Sequence, residues 1–266
     1  MKKLLLGLAA VATLATAPAL AADMPVKARP PVVEAAYNWS GFYTASTIGI
    51  GWQRVRGDFV DPTLPPDKHN ANRTTGWYDS HIGFQWQFNS IVIGAEGAWA
   101  TPLDRAYGGS FSPSPDCFGA SVIPNRICES RVSSVWSAVG KLGIAFDRMM
   151  IYGVGGWASA KIETRDRVAN TGLVNVQENT DYRHKGWVAG IGADWMVGRF
   201  LFSDVIFGLE YRHYSFDTVR HFPVNVTFAP PIAFPGDVRD VRATLDVVSA
   251  KLTFKWTPVA AVVAKY

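Results

Sequence analysis

The sequence VVSAKLTFKW, residues 247–256, alternates between apolar and polar side chains. Val248, Leu252 and Trp256 share one face, and Lys251 and Lys255 lie on the other. A period of two is typical of a β-strand with two unlike faces. About ten such residues suffice to cross a bilayer at a tilt. A water-soluble barrel would turn the apolar face inward, but the lysines on the opposite face favour a membrane-spanning strand whose apolar side chains face lipid.

The same alternation recurs along the chain, separated by turn and loop sequences. With the last one included, eight strands are predicted, over residues 42–53, 76–88, 91–100, 131–146, 149–161, 185–198, 205–216 and 241–256. The connections alternate between short turns at 89–90, 147–148 and 199–204 and long polar segments at 54–75, 101–130, 162–184 and 217–240. Outer-membrane barrels have tight periplasmic turns, longer outer loops and an even strand number. The sequence therefore predicts an all-β protein, an eight-stranded antiparallel up-and-down transmembrane β-barrel with four long outer loops, whose closure leaves no strand edge in lipid.

A water-soluble exported barrel with an apolar cavity, as in lipocalins, is the alternative architecture. Three features favour the membrane. The predicted strands are long, aromatic residues cluster near their ends as they do at membrane interfaces, and the less apolar face combines glycine, serine and charged residues. Such a face fits a narrow polar interior.

Residues 1–21 have the features of a secretory signal peptide. Lys2 and Lys3 precede an apolar run over residues 4–14, and Ala-Leu-Ala at 19–21 fits a cleavage site. Export indicates that the mature protein resides in the bacterial outer membrane. Four segments are therefore expected: the signal peptide (1–21), a proline-rich periplasmic linker (22–40), the barrel (41–256) and a C-terminal extension (257–266).

Export also bears on the two cysteines, Cys117 and Cys128. They are separated by a polar segment and would reach an oxidising compartment, so a disulfide between them is expected. Metal ligation or catalysis by the pair is the weaker alternative, because no histidine or further cysteine stands nearby in the sequence.

Charge and hydropathy exclude two other classes of protein. The formal net charge is +4, and removal of Lys2 and Lys3 with the signal peptide leaves 4 − 2 = +2. So small a charge does not indicate nucleic-acid binding. The mean hydropathy is +0.05, and no continuous apolar run of about 20 residues follows the signal peptide, which excludes a bundle of transmembrane helices.

The inward face of the predicted barrel is charged. An eight-stranded barrel has an interior just wide enough to be filled by side chains, and charges buried there must be paired or hydrated. The register points seven charged residues inward: Glu96, Lys141, Asp194, Glu210, Arg212, Lys251 and Lys255. These acids and bases predict a charge network with bound water. It would either plug the barrel or, by exchange of salt-bridge partners, admit ions intermittently.

The sequence does not predict an enzyme. Glu96 and Glu210 are better explained as partners in the interior network than as an acid–base pair. His81 and His213 have no neighbouring serine or cysteine to activate. A catalytic site at the loop rim is the remaining alternative, because some outer-membrane barrels are enzymes.

Three other histidines suggest ligand binding. His69, His184 and His221 lie in or beside different predicted outer loops, among aromatic residues. Histidine is a common ligand of haem iron, so these three residues are candidate ligands for hemin at the cell surface. The simpler interpretation is that they are solvated and bind nothing. No metal site and no other cofactor is predicted.

The sequence AADMPVKARPPVVEAAYNWSGFYTASTIGIGW, residues 21–52, resembles the start of small outer-membrane β-barrel proteins of alphaproteobacteria. Members of this family open with a proline-rich segment and an aromatic Asn-Trp-Ser/Thr-Gly-Phe-Tyr motif, here residues 38–43, followed by a glycine-rich strand end, here 48–52. Two features depart from the family pattern. Residues 257–266 follow the aromatic end of the last strand, and Ala-Ser at 45–46 replaces the usual Gly-Gly.

The resemblance implies an abundant, surface-exposed barrel with a structural role in the cell envelope, inserted by the barrel-assembly machinery and often described as porin-like. Some members are described as hemin-binding or as antigens that face host molecules. A small porin for ions or solutes and a hemin-binding surface receptor are therefore the alternative functions. From the residues themselves, we expect the arginines of the predicted loops to meet lipopolysaccharide phosphates. These are Arg54, Arg73, Arg165, Arg167 and Arg220.

Overall fold

The computed structural model describes residues 37–60, 68–104, 111–114, 126–168, 174–178, 182–225, 232–233 and 238–256. The expected signal peptide, the linker before residue 37, Cys117 and the C-terminal extension lie outside the described residues. The disulfide therefore stays a prediction; Cys128 is fully buried, and no described cysteine is a free thiol. Within the described part of the chain, no helix is long and apolar enough to cross a membrane.

The described residues contain twelve strands. In chain order they are β1 (Gly41–Phe59), β2 (Lys68–Phe88), β3 (Ile91–Pro102), β4 (Ser112–Pro113), β5 (Arg126–Phe146), β6 (Met149–Val168), β7 (Val174–Glu178), β8 (Arg183–Phe200), β9 (Ser203–His221), β10 (Pro223–Asn225), β11 (Ile232–Ala233) and β12 (Arg239–Trp256). Eight of them form a closed antiparallel ring in the order β1-β2-β3-β5-β6-β8-β9-β12, with β12 pairing back to β1. The four short strands extend the sheet from β5 and β6. The ring confirms the predicted eight-stranded up-and-down barrel.

Three tight turns join β2 to β3, β5 to β6 and β8 to β9 at one end of the ring. Each turn contains a residue in the left-handed region: Asn89, Asp147 and Leu201 have φ of 54°, 52° and 53°. Asparagine and aspartate adopt this conformation with little strain, and leucine does so rarely. Because tight turns of outer-membrane barrels face the periplasm, this end of the ring is the periplasmic one.

Large apolar side chains point out of the ring. Ile82 and Leu252 are 55% and 43% exposed, whereas Lys251, next to Leu252 in sequence, is 1% exposed. Aromatic residues form two belts on this outer surface. The outer belt includes Trp52, Trp99, Trp136, Trp157 and Trp187, and the periplasmic belt includes Phe42, Trp86, Phe146, Trp195 and Trp256. The strand portions between the two belts are the membrane-spanning segments.

The strands continue further outward than the sequence predicts. Residues 54–59 and 68–75, expected to form a loop, belong to β1 and β2, and similar extensions occur around the ring. Here the inward face stays buried, as at Val55, while the outward face carries charge, as at Arg54 and Arg56. Beyond the bilayer the outward face of each strand meets water. Its outward residues are therefore polar, and the alternation of apolar and polar residues ends although the strand continues. The four predicted loops are correspondingly shorter.

Candidate functional site in the barrel interior

The seven charged residues expected inside the barrel are all buried, none of them more than 4% exposed. At mid-height, Arg212 bridges two carboxylates. Its Nε lies 2.5 Å from Glu210 Oε1, and its Nη2 donates to Glu96 Oε1. Glu96 lies on β3 and Arg212 on β9, which are opposite strands in the ring of eight. This ion pair therefore crosses the lumen.

Two lysines complete the mid-height cluster. Lys251 Nζ lies 2.9 Å from Asp194 and 3.5 Å from Glu210, and Lys141 Nζ lies 3.5 Å from Asp194. Tyr152 connects them, because its hydroxyl donates to Glu210 at 2.7 Å and its ring centre lies 4.0 Å from Lys141 Nζ. Counting the ion pair across the lumen, three carboxylates face three cations, so the cluster has no formal net charge. Balanced pairing of this kind offsets the cost of burying ions.

Side chains without a permanent charge, which are not among the seven predicted residues, supply further contacts. Tyr43 donates to Glu96 at 2.9 Å, and His81 Nδ1 lies 2.9 Å from the same carboxylate. Lys141 donates to Gln85 at 3.4 Å. The alternating pattern already placed these three residues on the inward face of β1 and β2, but none of them carries a permanent charge, so none was among the seven expected.

Lys255 lies apart from the cluster, close to the periplasmic turns. Its Nζ is 3.2 Å from Asp204 and donates to the carbonyl of Asn38 at 2.6 Å. Tyr37 stands beside this pair, with its ring centre 4.6 Å from Nζ and its hydroxyl donating to Asp204 at 2.7 Å. The lysine thus holds the chain segment that precedes β1.

This segment, residues 37–40, fills the periplasmic mouth of the barrel instead of belonging to the expected linker. Trp39 is fully buried there. Its indole N–H donates to the carbonyl of Asp147 at 2.9 Å, and its backbone N–H donates to Gln87 at 2.7 Å. Gln85 donates to the carbonyl of Trp39 at 2.7 Å. A buried indole whose N–H is satisfied packs stably, which explains why these residues do not extend into solvent.

A second ion pair crosses the outer part of the lumen. Arg239 on β12 binds Asp166 on β6 through two contacts, of 2.5 Å and 3.2 Å, and both side chains are at most 1% exposed. The sequence does not predict this pair, because both residues lie in segments expected to be loops. Their alternation with Val241 and Thr164, all buried, was the available signal.

Two histidines contact each other in the outer part of the barrel. His184 Nε2 lies 2.8 Å from His221 Nε2, and His184 Nδ1 lies 3.0 Å from the carbonyl of Asp217. A carbonyl only accepts, so His184 Nδ1 carries the proton and donates. In the neutral pair, Nε2 of His184 then accepts from the Nε2–H of His221.

Burial controls the charge of this region. Desolvation lowers the pKa of His184 to about 4, and it also lowers the pKa of His69, beside Ser130, to about 4. The unfolded chain, with a pKa of 6.5, binds a proton below that pH, and the folded chain does not. The stability that these imidazoles contribute is therefore complete above pH 6.5 and is lost as the pH falls toward 4.

The expected surface placement of the hemin-ligand candidates is wrong. His69, His184 and His221 lie on strands β2, β8 and β9 and are at most 1% exposed. Two of them bond to each other, so their ring nitrogens are not directed toward an external iron. Within the described residues, no group of three or more metal-binding side chains could hold a metal ion.

The arginines expected in loops also lie on strands. Arg73 on β2 forms an ion pair with Asp104, and Arg165 on β6 lies 2.8 Å from Glu129. Arg54 and Arg220 point outward on β1 and β9, and Arg167 is a residue of β6.

Known proteins resemble this chain at modest identity. No family model matches it. The 31 kDa outer-membrane immunogenic protein of Brucella melitensis is 27% identical over 205 residues, covering 71% of this chain and 79% of that protein. The 25 kDa outer-membrane immunogenic protein of Brucella abortus is 27% identical over 233 residues, covering 85% and 89%. Among solved structures, Neisserial surface protein A matches with a TM-score of 0.37 and 10% identity, covering 82% of this chain and 98% of that one.

Proposed function

We propose that this outer-membrane β-barrel, a homologue of the Brucella immunogenic proteins, serves the cell envelope as a closed, surface-exposed structural barrel. Its lumen passes at most small, intermittent ion currents. The homologues are named as outer-membrane proteins, and the apolar outer surface between two aromatic belts fits that location.

The observation that carries the proposal is the ion pair between Glu96 and Arg212. It joins opposite strands of the ring, and Glu210 holds the same guanidinium from the other side. Ions entering the lumen would meet this crossing pair and the two lysines beside it. A steady current would require the pair to separate in an interior where both side chains are at most 4% exposed. Leaving one buried charge without its partner costs about 3–5 kcal/mol.

A second barrier lies at the periplasmic mouth. Trp39 fills it and is bonded to the turn at Asp147 and to Gln85 and Gln87. The mid-height cluster and this plug block the same path at different depths.

The small-porin alternative is supported by shared partners within the cluster. Lys251 lies within 3.5 Å of both Asp194 and Glu210, and Lys141 lies within 3.5 Å of both Asp194 and Gln85. A cation with two acceptors can exchange between them without becoming unpaired. Brief openings, rather than a permanent pore, are the conductance that such exchange permits. In the part of the chain that the structure describes, no contact supports catalysis or surface ligation of hemin, and we propose neither function.

Planar-bilayer recording of the refolded protein tests the proposal. The wild-type protein should show no steady conductance, only brief small openings. A variant with Glu96→Ala, Arg212→Ala and Trp39→Ala should conduct steadily, because it removes the ion pair that crosses the lumen and the plug at the periplasmic mouth. Arg220→Ala, on the exposed outer face, is the matched control and should behave as wild type.

Two results would overturn the proposal: a steady open current through the wild-type protein, or a folded triple variant as silent as wild type. Retention of the folded barrel is checked for each variant by its β-sheet circular dichroism and resistance to unfolding in detergent.

A further inference from the structure

Three arginines form a group on the outward face of the barrel, just beyond the outer aromatic belt. Arg54 and Arg56 lie on β1 and Arg242 on β12, and all three side chains are exposed. Together they line a surface depression with a volume of about 340 Å³, into which Ser215 and Thr244 also face. We name these three residues the outward arginine group.

Within the group, like charges face each other. Arg56 and Arg242 are directly paired across the two strands, an arrangement that destabilises a sheet when nothing lies between the charges. The two nearest carboxylates have direct partners outside the group: Asp246 binds His213 at 2.7 Å and Asp240 binds Arg220 at 2.9 Å. Asp246 also attracts Arg54 electrostatically, without forming an ion pair with it.

Other arginines of the outer part of the barrel are neutralised by the protein itself. Arg131 lies 2.6 Å from Glu163, and Arg165 lies 2.8 Å from Glu129. Both guanidinium groups also stack on Phe111, at 4.2 Å and 3.7 Å. Among the described residues, no carboxylate forms an ion pair with Arg54, Arg56 or Arg242, and Asp246 acts on Arg54 only as a nearby charge. The exposed acid nearest in register, Asp58, lies one row further out, opposite Asp240.

The position of the group relative to the membrane identifies the anion. Trp52 belongs to the outer aromatic belt, and Arg54 and Arg56 follow it by two and four residues on the same face of β1. At about 3.3 Å per residue and a tilt of about 40°, they stand roughly 5 Å and 10 Å above the tryptophan. The headgroup layer extends about 5–7 Å beyond the hydrocarbon. Arg54 therefore lies within the headgroup layer, and Arg56 and its register partner Arg242 lie a few ångströms beyond it, from where their long side chains extend back to the lipid phosphates.

We propose that the outward arginine group binds the phosphoryl groups of an outer-leaflet lipid, with the phosphorylated glucosamine of lipopolysaccharide as the ligand. Guanidinium groups bind phosphate through paired, charge-assisted hydrogen bonds. One phosphate placed between Arg56 and Arg242 converts their repulsion into two attractions. The hydroxyls of Ser215 and Thr244 are positioned to donate to the remaining oxygens.

Titration of the purified, delipidated protein in a neutral detergent with diphosphoryl lipid A, followed by native mass spectrometry, measures the binding. Each of Arg54→Gln, Arg56→Gln and Arg242→Gln should weaken binding about tenfold, as expected for the loss of one charge-assisted contact. The triple variant should bind no better than the protein binds a dephosphorylated lipid A. Arg220→Gln, an exposed arginine that already has Asp240 as its partner, is the matched control and should bind within about twofold of wild type.

A thermal measurement separates ligand binding from a structural role. In lipid-free detergent, Arg56→Gln should raise the melting temperature or leave it unchanged, because it removes a like-charge contact. Diphosphoryl lipid A should then raise the melting temperature of the wild-type protein and not that of the variant. A structural role would instead lower the melting temperature of the variant in both conditions.

The proposal fails if the triple variant and wild type retain lipid A equally. It also fails if inorganic phosphate binds to the wild-type protein as tightly as lipid A does, since the site would then be a general anion site with no relation to the membrane. Because the outward arginine group lies outside the lumen, neither result affects the bilayer recordings of the interior variants, which test the proposed function separately.

Discussion

The replacement of Arg212 by methionine tests the interior network most sharply. Methionine keeps a flexible apolar stem like that of arginine but lacks the guanidinium that joins Glu96 and Glu210. Glu210 keeps Lys251 at 3.5 Å as a partner cation. Glu96 keeps only neutral or titratable neighbours, so it becomes a buried carboxylate without a permanent positive partner.

The loss of stability expected for Arg212→Met follows from the excess of negative charge that it leaves in the cluster. The mid-height cluster changes from three carboxylates and three cations to three and two, in a lumen where these side chains are at most 4% exposed. Removing one partner of a buried ion pair costs about 3–5 kcal/mol. Adding Glu96→Gln removes the uncompensated charge while the amide still accepts from Tyr43. The double variant should therefore recover most of the loss, giving a coupling free energy of about 3 kcal/mol between the two positions.

Equilibrium unfolding by urea in lipid vesicles at pH 7 measures these free energies. Arg199→Met is the matched control, because Arg199 forms an ion pair with Asp204 at 2.8 Å but its side chain is 74% exposed. It should change the stability little. A small effect of Arg212→Met, comparable to that of the control, would refute the reasoning. So would a double variant less stable than Arg212→Met alone.

Two further predictions concern the barrel wall and its response to pH. Between pH 6.5 and 4, the buried imidazole of His184, with a pKa of about 4, should remove roughly 3 kcal/mol from the free energy of unfolding. His184→Gln should remove this contribution, so that urea unfolding across the pH range gives a shallower stability profile to which His69 still contributes. An unchanged slope would contradict the assignment. Gly192→Ala should lower the free energy of unfolding by about 1–3 kcal/mol, because a Cβ there would lie 2.4 Å from the ring of Tyr152. Gly198→Ala, on the same strand with nothing within 4 Å of its Cβ, should be tolerated in the same assay, and equal losses at the two glycines would rule out the packing explanation.

The membrane-spanning part of the fold was predictable because lipid and lumen impose opposite chemistry on alternate residues. Leu252 and Lys251 show the contrast directly, with 43% and 1% of their surfaces exposed. The parts of the strands that extend beyond the outer aromatic belt were not predictable from this alternation. Above the membrane, both the outward face of a strand and a loop are polar, so Arg54 and Arg56 resembled loop residues.

The sequence likewise predicts one part of the candidate site and leaves another part unpredicted. The inward positions of Glu96 and Arg212 followed from register within single strands. The contacts across the lumen did not follow from this register, because they depend on how strands joined by long connections align with each other. The approach of His184 to His221 and the crossing pair of Arg239 with Asp166 are of this second kind.

The burial of Trp39 had no signal in the alternating pattern, since the residue precedes the first strand. Its neighbours resemble a linker in sequence because prolines precede them. The structure shows that the aromatic motif before β1 fills the periplasmic mouth of the barrel and bonds to Gln85 and Gln87.

The protein's own tryptophans provide the most direct test of whether lipid surrounds the apolar face. Of the ten in the chain, Trp39 and Trp77 are buried inside the ring. The others lie on the outer surface: Trp52, Trp86, Trp99, Trp136, Trp157, Trp187, Trp195 and Trp256. In vesicles of phospholipid brominated on the acyl chains, the emission of these eight should be quenched, and the residual emission should fall further in a Trp39→Phe variant. Emission as strong in brominated as in ordinary lipid would place the tryptophans away from the bilayer and contradict the transmembrane barrel.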